Sequence, residues 1–122
     1  MNQNQITKFL TEYEETFPKL IRDKIPEAIL KNEGKPARDV RSLKDTNAAL
    51  LPFAIKKVLE EAGEMYSATS KEDIISGMAD LYELLDLIKI LSNVDEKDIS
   101  TYRQAKNLRV GKFDKGLVLY KK

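Results

Sequence analysis

The stretch from Leu51 to Tyr66, LPFAIKKVLEEAGEMY, decides how this chain is read. Leu51, Ala54, Ile55, Val58, Ala62, Met65 and Tyr66 recur at helical spacing and form one apolar stripe. A helix is predicted from about Thr46 to Ala68, with Pro52 near its start or at a kink. Glu61 and Glu64 lie beside the stripe, in line with Leu50, Phe53 and Lys57, and Glu60 precedes them. Residues three apart share a helix face, so this pair can aim two carboxylates at one point. A second acidic pair, Asp80-x-x-Glu83, follows in another apolar stretch with helical periodicity. Two such helices packed together could gather oxygen ligands around a hard cation such as Mg²⁺. The alternative is ordinary surface chemistry, in which Lys57 pairs with Glu61, Lys56 with Glu60, and Glu83 and Asp86 are solvated.

Outward from this stretch the pattern stays helical. Ile6, Phe9, Leu10, Tyr13 and Phe17 predict a helix near residues 4–16, ended by Pro18. Leu20, Ile21, Ile25, Ile29 and Leu30 predict a short helix with Pro26 in its first turns. Asn32-Glu33-Gly34-Lys35-Pro36 stops it, and residues 35–45 read as a polar loop. Ser70-x-x-Asp73 resembles the cap of a helix over about 71–93. Asp95 to Asn107 reads as a weaker helix, and residues 111–116 as a turn-rich break. Leu117 to Tyr120 is expected as a short strand or an extended arm. The predicted fold is all-α: a single domain, residues 1–122, with a bundle of four to five helices and a short C-terminal extension.

Composition narrows the chemistry. Hydrophobic residues make up 42% of the 122, enough for a core of real size. There is no cysteine and no histidine. Disulfides, thiolate chemistry and the commonest zinc ligands are thereby excluded. Any metal should be oxygen-bound, and any base a carboxylate, a lysine or metal-activated water. No apolar run approaches a membrane span, and the polar start, Met1 to Gln5, lacks a signal pattern. The expected location is the cytoplasm. Net charge is +1, unevenly spread: Glu60 to Asp98 carries 11 acidic and 3 basic residues, and Thr101 to Lys122 carries 7 basic and 1 acidic. An acidic centre beside a basic tail suits a metal–phosphate ligand, although two solvated faces would show the same pattern.

On a helical wheel of residues 71–92, Ile74, Met78, Leu81, Leu85 and Ile88 make one apolar face. Asp73, Gly77, Asp80, Leu84, Leu87 and Leu91 make a second. A helix buried on both faces has little reason to align Asp80 with leucines unless a metal, an arginine or a lysine pairs with it. Gly77 would leave room there for a ligand. Two apolar faces also offer more surface than one small bundle covers, which predicts a homodimer or higher homo-oligomer.

Four segments, Lys19–Glu27, Leu59–Met65, Ala79–Leu85 and Arg109-x-Gly111-x-Phe113, are together similar to MazG-like proteins related to phosphoribosyl-ATP pyrophosphohydrolase, within the all-α nucleoside triphosphate pyrophosphohydrolase superfamily. Lys19-Leu20-Ile21-Arg22-Asp23-Lys24-Ile25-Pro26-Glu27 resembles their opening motif. Leu59 to Met65 resembles their E-E-x-x-E helix, and Ala79 to Leu85 the following A-D-hydrophobic-x-E helix. Arg109-x-Gly111-x-Phe113 resembles their C-terminal segment. The likeness spans about residues 19–119, and residues 1–18 read as an N-terminal helical extension. It implies an α-helical, usually oligomeric protein that splits a nucleoside triphosphate into monophosphate and pyrophosphate with Mg²⁺, or Mn²⁺ in its place. Unusual nucleotides fit this branch better than the histidine-biosynthetic substrate. Glu61, Glu64 and Asp80 match the catalytic acids, with Glu60 and Glu83 as further metal ligands. Arg22, Lys24, Lys57, Arg109 and Lys112 are the implied phosphate contacts. The chain departs from the pattern at Gly77, where an acid is expected; Asp73, Glu60 or Glu83 would have to compensate.

Two other readings stay open. One is a degenerate relative that binds a nucleotide or a protein without turnover. The other is a helical module using the basic tail, with Tyr102, Phe113 and Tyr120, on nucleic acid; no recognised nucleic-acid motif accompanies it, so nucleic acid is not the expected partner.

Overall fold

The structure is a computed structural model, and it describes Asn2, Asn4, Gln5, Lys8 and residues 17–122. Among these residues the regular secondary structure is entirely α-helical, as expected. The helices are α1 (Ile25–Glu33), α2 (Asn47–Tyr66), α3 (Lys71–Ser92) and α4 (Glu96–Val110). The helix expected over residues 4–16 falls mostly outside the described residues, though Asn4, Gln5 and Lys8 are helical. Asn2 and Gln5 bond each other reciprocally, backbone N–H to side-chain oxygen, at 2.7 and 2.8 Å. That is a capping-box arrangement with Asn and Gln in its two roles.

The local chemistry explains the helix ends. Pro26 sits in the first turn of α1, where a missing N–H costs nothing. Gly34 closes α1 at φ 73°, a left-handed conformation that glycine adopts without strain, and its N–H donates to the Leu30 carbonyl at 3.0 Å. α1 begins later than the periodicity suggested, because Leu20 and Ile21 lie in the irregular segment before it. The Ser70 hydroxyl accepts from the Asp73 N–H at 3.1 Å, and the Asp73 carboxylate accepts from the Thr69 N–H at 3.4 Å. Asp95 caps α4 by accepting from the Asp98 N–H at 3.0 Å. α4 runs three residues beyond the expected Asn107. Pro52 lies inside α2 on its exposed side. Leu117 to Tyr120 forms no strand.

The chain divides into two compact units, residues 1–92 and residues 93–122. In the first, α2 and α3 are joined by the short link Ser67 to Ser70 and pack on each other as a helical hairpin. Ala54, Glu61 and Gly63 of α2 and Gly77 and Leu84 of α3 are buried. Ala54 and Leu84 are the only buried apolar side chains among the described residues. The packed face of α3 is therefore the one carrying Gly77, Asp80 and Leu84. The other apolar face, centred on Met78, is not covered by the described residues, so among them α3 is not buried on both faces as the wheel suggested. The second unit is α4 followed by an irregular tail, and α4 buries no residue.

Candidate functional site

The site is built on the packed line of the hairpin. Ala54, Glu61 and Met65 of α2 are spaced by seven and four residues and so share one side of that helix. Gly77, Asp80 and Leu84, spaced by three and four residues, share one side of α3. Gly77 packs tightly on α2: a Cβ there would stand 3.1 Å from Met65 Sδ and 3.2 Å from its Cβ and Cγ. The glycine thus serves the approach of α3 to α2, and an acid at position 77 would have to displace Met65. This gives the departure at Gly77 a packing reason that sequence alone did not supply.

Glu60 and Glu61 are both buried, at 4% and 6% exposure, in opposite circumstances. Glu60 is satisfied: Lys19 Nζ stands 3.1 Å from Oε1 and Lys57 Nζ 2.8 Å from Oε2. Glu61 has Lys57 only at 3.7 Å from Oε1, and its buried Oε2 has no hydrogen-bond partner. Burial, the neighbouring Asp80 and the charge of Glu64 together push its pKa up to about 8. Glu61 is therefore protonated at neutral pH in this state. Burial pushes the Asp80 carboxyl upward too, but the hydrogen bond from Arg22, aided by Glu61 and Lys57, outweighs it and holds the group below the usual range. Of the three partners open for Asp80, the structure selects the arginine. Asp80 raises the pKa of Arg22 in return, with Glu83 and Glu61 adding smaller contributions.

The opening segment reaches this site by lying along α2. Lys56 Nζ donates to the Pro18 carbonyl at 2.9 Å. That places Lys19 on Glu60 and Arg22 on Asp80, 41 and 58 residues away in sequence. Lys19 is the site residue that sequence reasoning passed over. It stood at the head of the opening motif, but nothing local marked it as the partner of a buried carboxylate. Glu64 is exposed beside the buried pair and lines a cleft of about 320 Å³ with Ser67, Ala68, Asp73, Ser76 and Gly77. Asp73 and Glu64 thus open onto the same space. Glu83 is exposed on α3 and Lys24 is exposed immediately before α1. Arg109 and Lys112 are exposed in the second unit.

The donor chemistry suits a hard cation. All side-chain donors are carboxylate oxygens, one is a buried orphan, and Glu61 and Glu64 repel until a cation or a proton intervenes. In this conformation Arg22 and Lys57 supply the neutralising charge, and no three acids among the described residues stand in metal-binding geometry. No helix of the described residues is long and apolar enough to cross a membrane. No protein-family model, curated protein or solved structure matches the chain. The site's chemistry thus rests on its residues alone.

Proposed function

We propose that the chain is a Mg²⁺-dependent nucleoside triphosphate pyrophosphohydrolase of the MazG-like type. The observation that carries this reading is the buried, unpartnered Oε2 of Glu61, on the line where α2 meets Asp80 of α3. A buried carboxyl with an empty acceptor is costly unless a ligand uses it. Glu61, Glu64 and Asp80 would hold the cation, which would supply Lewis acidity and a lowered water pKa. Glu60, already occupied by two lysines, serves in this reading to fix Lys57 beside Glu61. Arg22, released from Asp80, is within the same cluster to take a phosphate oxygen. In the reaction, the oxygen of one water bonds to the α-phosphorus and the α–β bridging P–O bond breaks. Pyrophosphate leaves, and the water proton passes to solvent. Catalysis of this type needs positioning and charge neutralisation rather than histidine or cysteine.

The packing of Gly77 on Met65 favours one competing reading, a site that binds nucleotide without turnover. Both are tested by pyrophosphate release from a panel of ordinary and modified nucleoside triphosphates, with and without Mg²⁺, beside a Glu61→Ala control. The expected result is metal-dependent release that the control lacks. Silence across the panel, with nucleotide still raising the melting temperature, would move the chain to the binding-only reading. Silence without stabilisation would remove both.

A further inference from the structure

Lys19, Lys57 and Arg22 all stand on acids of the candidate site, and they are not held alike. Lys19 and Lys57 share Glu60, whose carboxylate is 5% exposed, and both lysines are themselves largely covered. Withdrawing either would leave a buried carboxylate short of a partner. Arg22 stands on Asp80 with its own side chain 59% exposed. It donates from one guanidinium nitrogen to Asp80 Oδ1. A guanidinium carries five N–H donors, so most of those on Arg22 are not used by Asp80. The backbone at Arg22 is fixed on both sides. Lys56 Nζ donates to the Pro18 carbonyl at 2.9 Å, Lys19 is anchored on Glu60, and the Ile25 N–H donates to the Arg22 carbonyl at 3.0 Å where α1 begins. The side chain can therefore swing while its root stays beside the site.

Asp80 can hold Arg22 or a divalent cation, and those two charges repel each other at contact distance. A phosphate group reverses that relation, because its oxygens attract both. We propose that Arg22 is a movable counter-ion that exchanges Asp80 for a phosphate group of the nucleotide, so that metal and phosphate enter the site together and either alone binds poorly. The inference rests on the nucleotide reading above and adds to it a coupling between the two ligands. Without phosphate, Arg22 competes for Asp80. Without metal, Asp80 retains Arg22, and Glu83 adds to the negative field around the guanidinium. Linkage makes the coupling reciprocal, with a typical size of about 5- to 150-fold in either affinity. The residue type fits the exchange. A planar guanidinium fork matches carboxylate and phosphate alike, which the point charge of a lysine does not.

Two single-ligand titrations by calorimetry test the exchange, both on the full chain. In the first, Mg²⁺ alone is added to the wild type, to Arg22→Gln and to Lys24→Gln, which loses the same charge from an exposed residue two positions on. Arg22→Gln is expected to bind Mg²⁺ at least about 5-fold more tightly than the wild type. Lys24→Gln should stay within about 2-fold of it, because an exposed charge is screened. In the second, tripolyphosphate is added without metal to the wild type, to Asp80→Asn and to the double variant Asp80→Asn/Arg22→Gln. Asp80→Asn releases Arg22 and is expected to bind at least about 5-fold more tightly, and the double variant to lose that gain. If Asp80→Asn unfolds, the Mg²⁺ series decides alone. Equal Mg²⁺ affinity in the wild type and Arg22→Gln, or an equal gain in Lys24→Gln, overturns the proposal and leaves the proposed function standing, because the cation still binds. A gain retained in the double variant also overturns it, by assigning the effect to the lost acid charge. Mg²⁺ binding to neither the wild type nor Arg22→Gln removes the exchange and the hydrolase reading together.

Discussion

The α2–α3 hairpin and the segment after Asn93 carry charge in opposite ways. In the hairpin, acids are drawn out of water and held by basic groups from a distant segment: Lys19 on Glu60 and Arg22 on Asp80. In residues 93–122 the charges face solvent, and Phe113 and Tyr120 are more than 90% exposed. Both regions looked equally suggestive as an acidic centre and a basic tail. The difference teaches that a charge run acquires chemistry only where packing removes its water. A carboxylate at the surface is neutralised by solvent. One on a helix–helix contact line must find a proton, a base or a metal.

The sharpest way to break this comparison is to remove its two buried acids separately. Glu60→Ala leaves Lys19 and Lys57 without their shared partner in a buried setting and is expected to lower stability by about 3 kcal/mol. Chemical denaturation reads this directly, and a change under about 1 kcal/mol would return Glu60 to the surface class. Glu61→Gln is expected to leave stability within about 1 kcal/mol at pH 7, because the side chain it replaces is already neutral. On the proposed function, the same substitution lowers pyrophosphate release by at least about 100-fold. Equal stability losses in the two variants would erase the contrast between them.

A pH series sharpens the same contrast. Between about 4.5 and about 8 the folded chain holds a proton on Glu61 that the unfolded chain has released. Stability therefore falls as pH rises through that window and levels off above it, by an amount on the order of a few kcal/mol. Glu61→Gln should flatten this slope in urea midpoints measured from pH 5 to 8. On the proposed function the cation and the proton compete for Glu61, so Mg²⁺ affinity should rise with pH, by up to about tenfold per unit below pH 8. Isothermal titration would show it, and a pH-independent affinity would separate the metal from Glu61. Arg22→Ala should cost under about 1 kcal/mol, since the guanidinium is 59% exposed and solvent screens its pair with Asp80. The smallest effect is expected in the second region: Arg109→Ala with Lys112→Ala should shift stability by under about 0.5 kcal/mol. A larger loss would mean that these side chains are not merely solvated.

Much of the fold was legible in local chemistry. The Ser70 and Asp95 caps, Gly34 past the end of α1 and the stripes of α2 and α3 each act within a few residues, so reading them needs no tertiary knowledge. Glu61, Glu64 and Asp80 were legible for the same reason, as acids at helical spacing beside apolar stripes. The i,i+4 rule paired Lys56 with Glu60 and Lys57 with Glu61. In the structure Lys57 bonds Glu60 more closely than Glu61, and Lys56 reaches the Pro18 carbonyl. That reassignment depends on the opening segment lying along α2, and no helical wheel contains it.

The sequence by itself determined that the chain is helical, where its central helices begin and end, and that its available ligands are oxygen and nitrogen bases without histidine or thiol. Periodicity and caps are local, and composition is absolute. Only the tertiary structure decided which face of α3 meets α2, that Gly77 is spent on Met65, and that Glu60 is paired while Glu61 keeps an empty oxygen. Those outcomes depend on distances between residues far apart in the chain. Two lysines meet in the buried Glu60 carboxylate, while burial beside Asp80 and Glu64 makes the next residue a carboxyl that retains its proton to about pH 8.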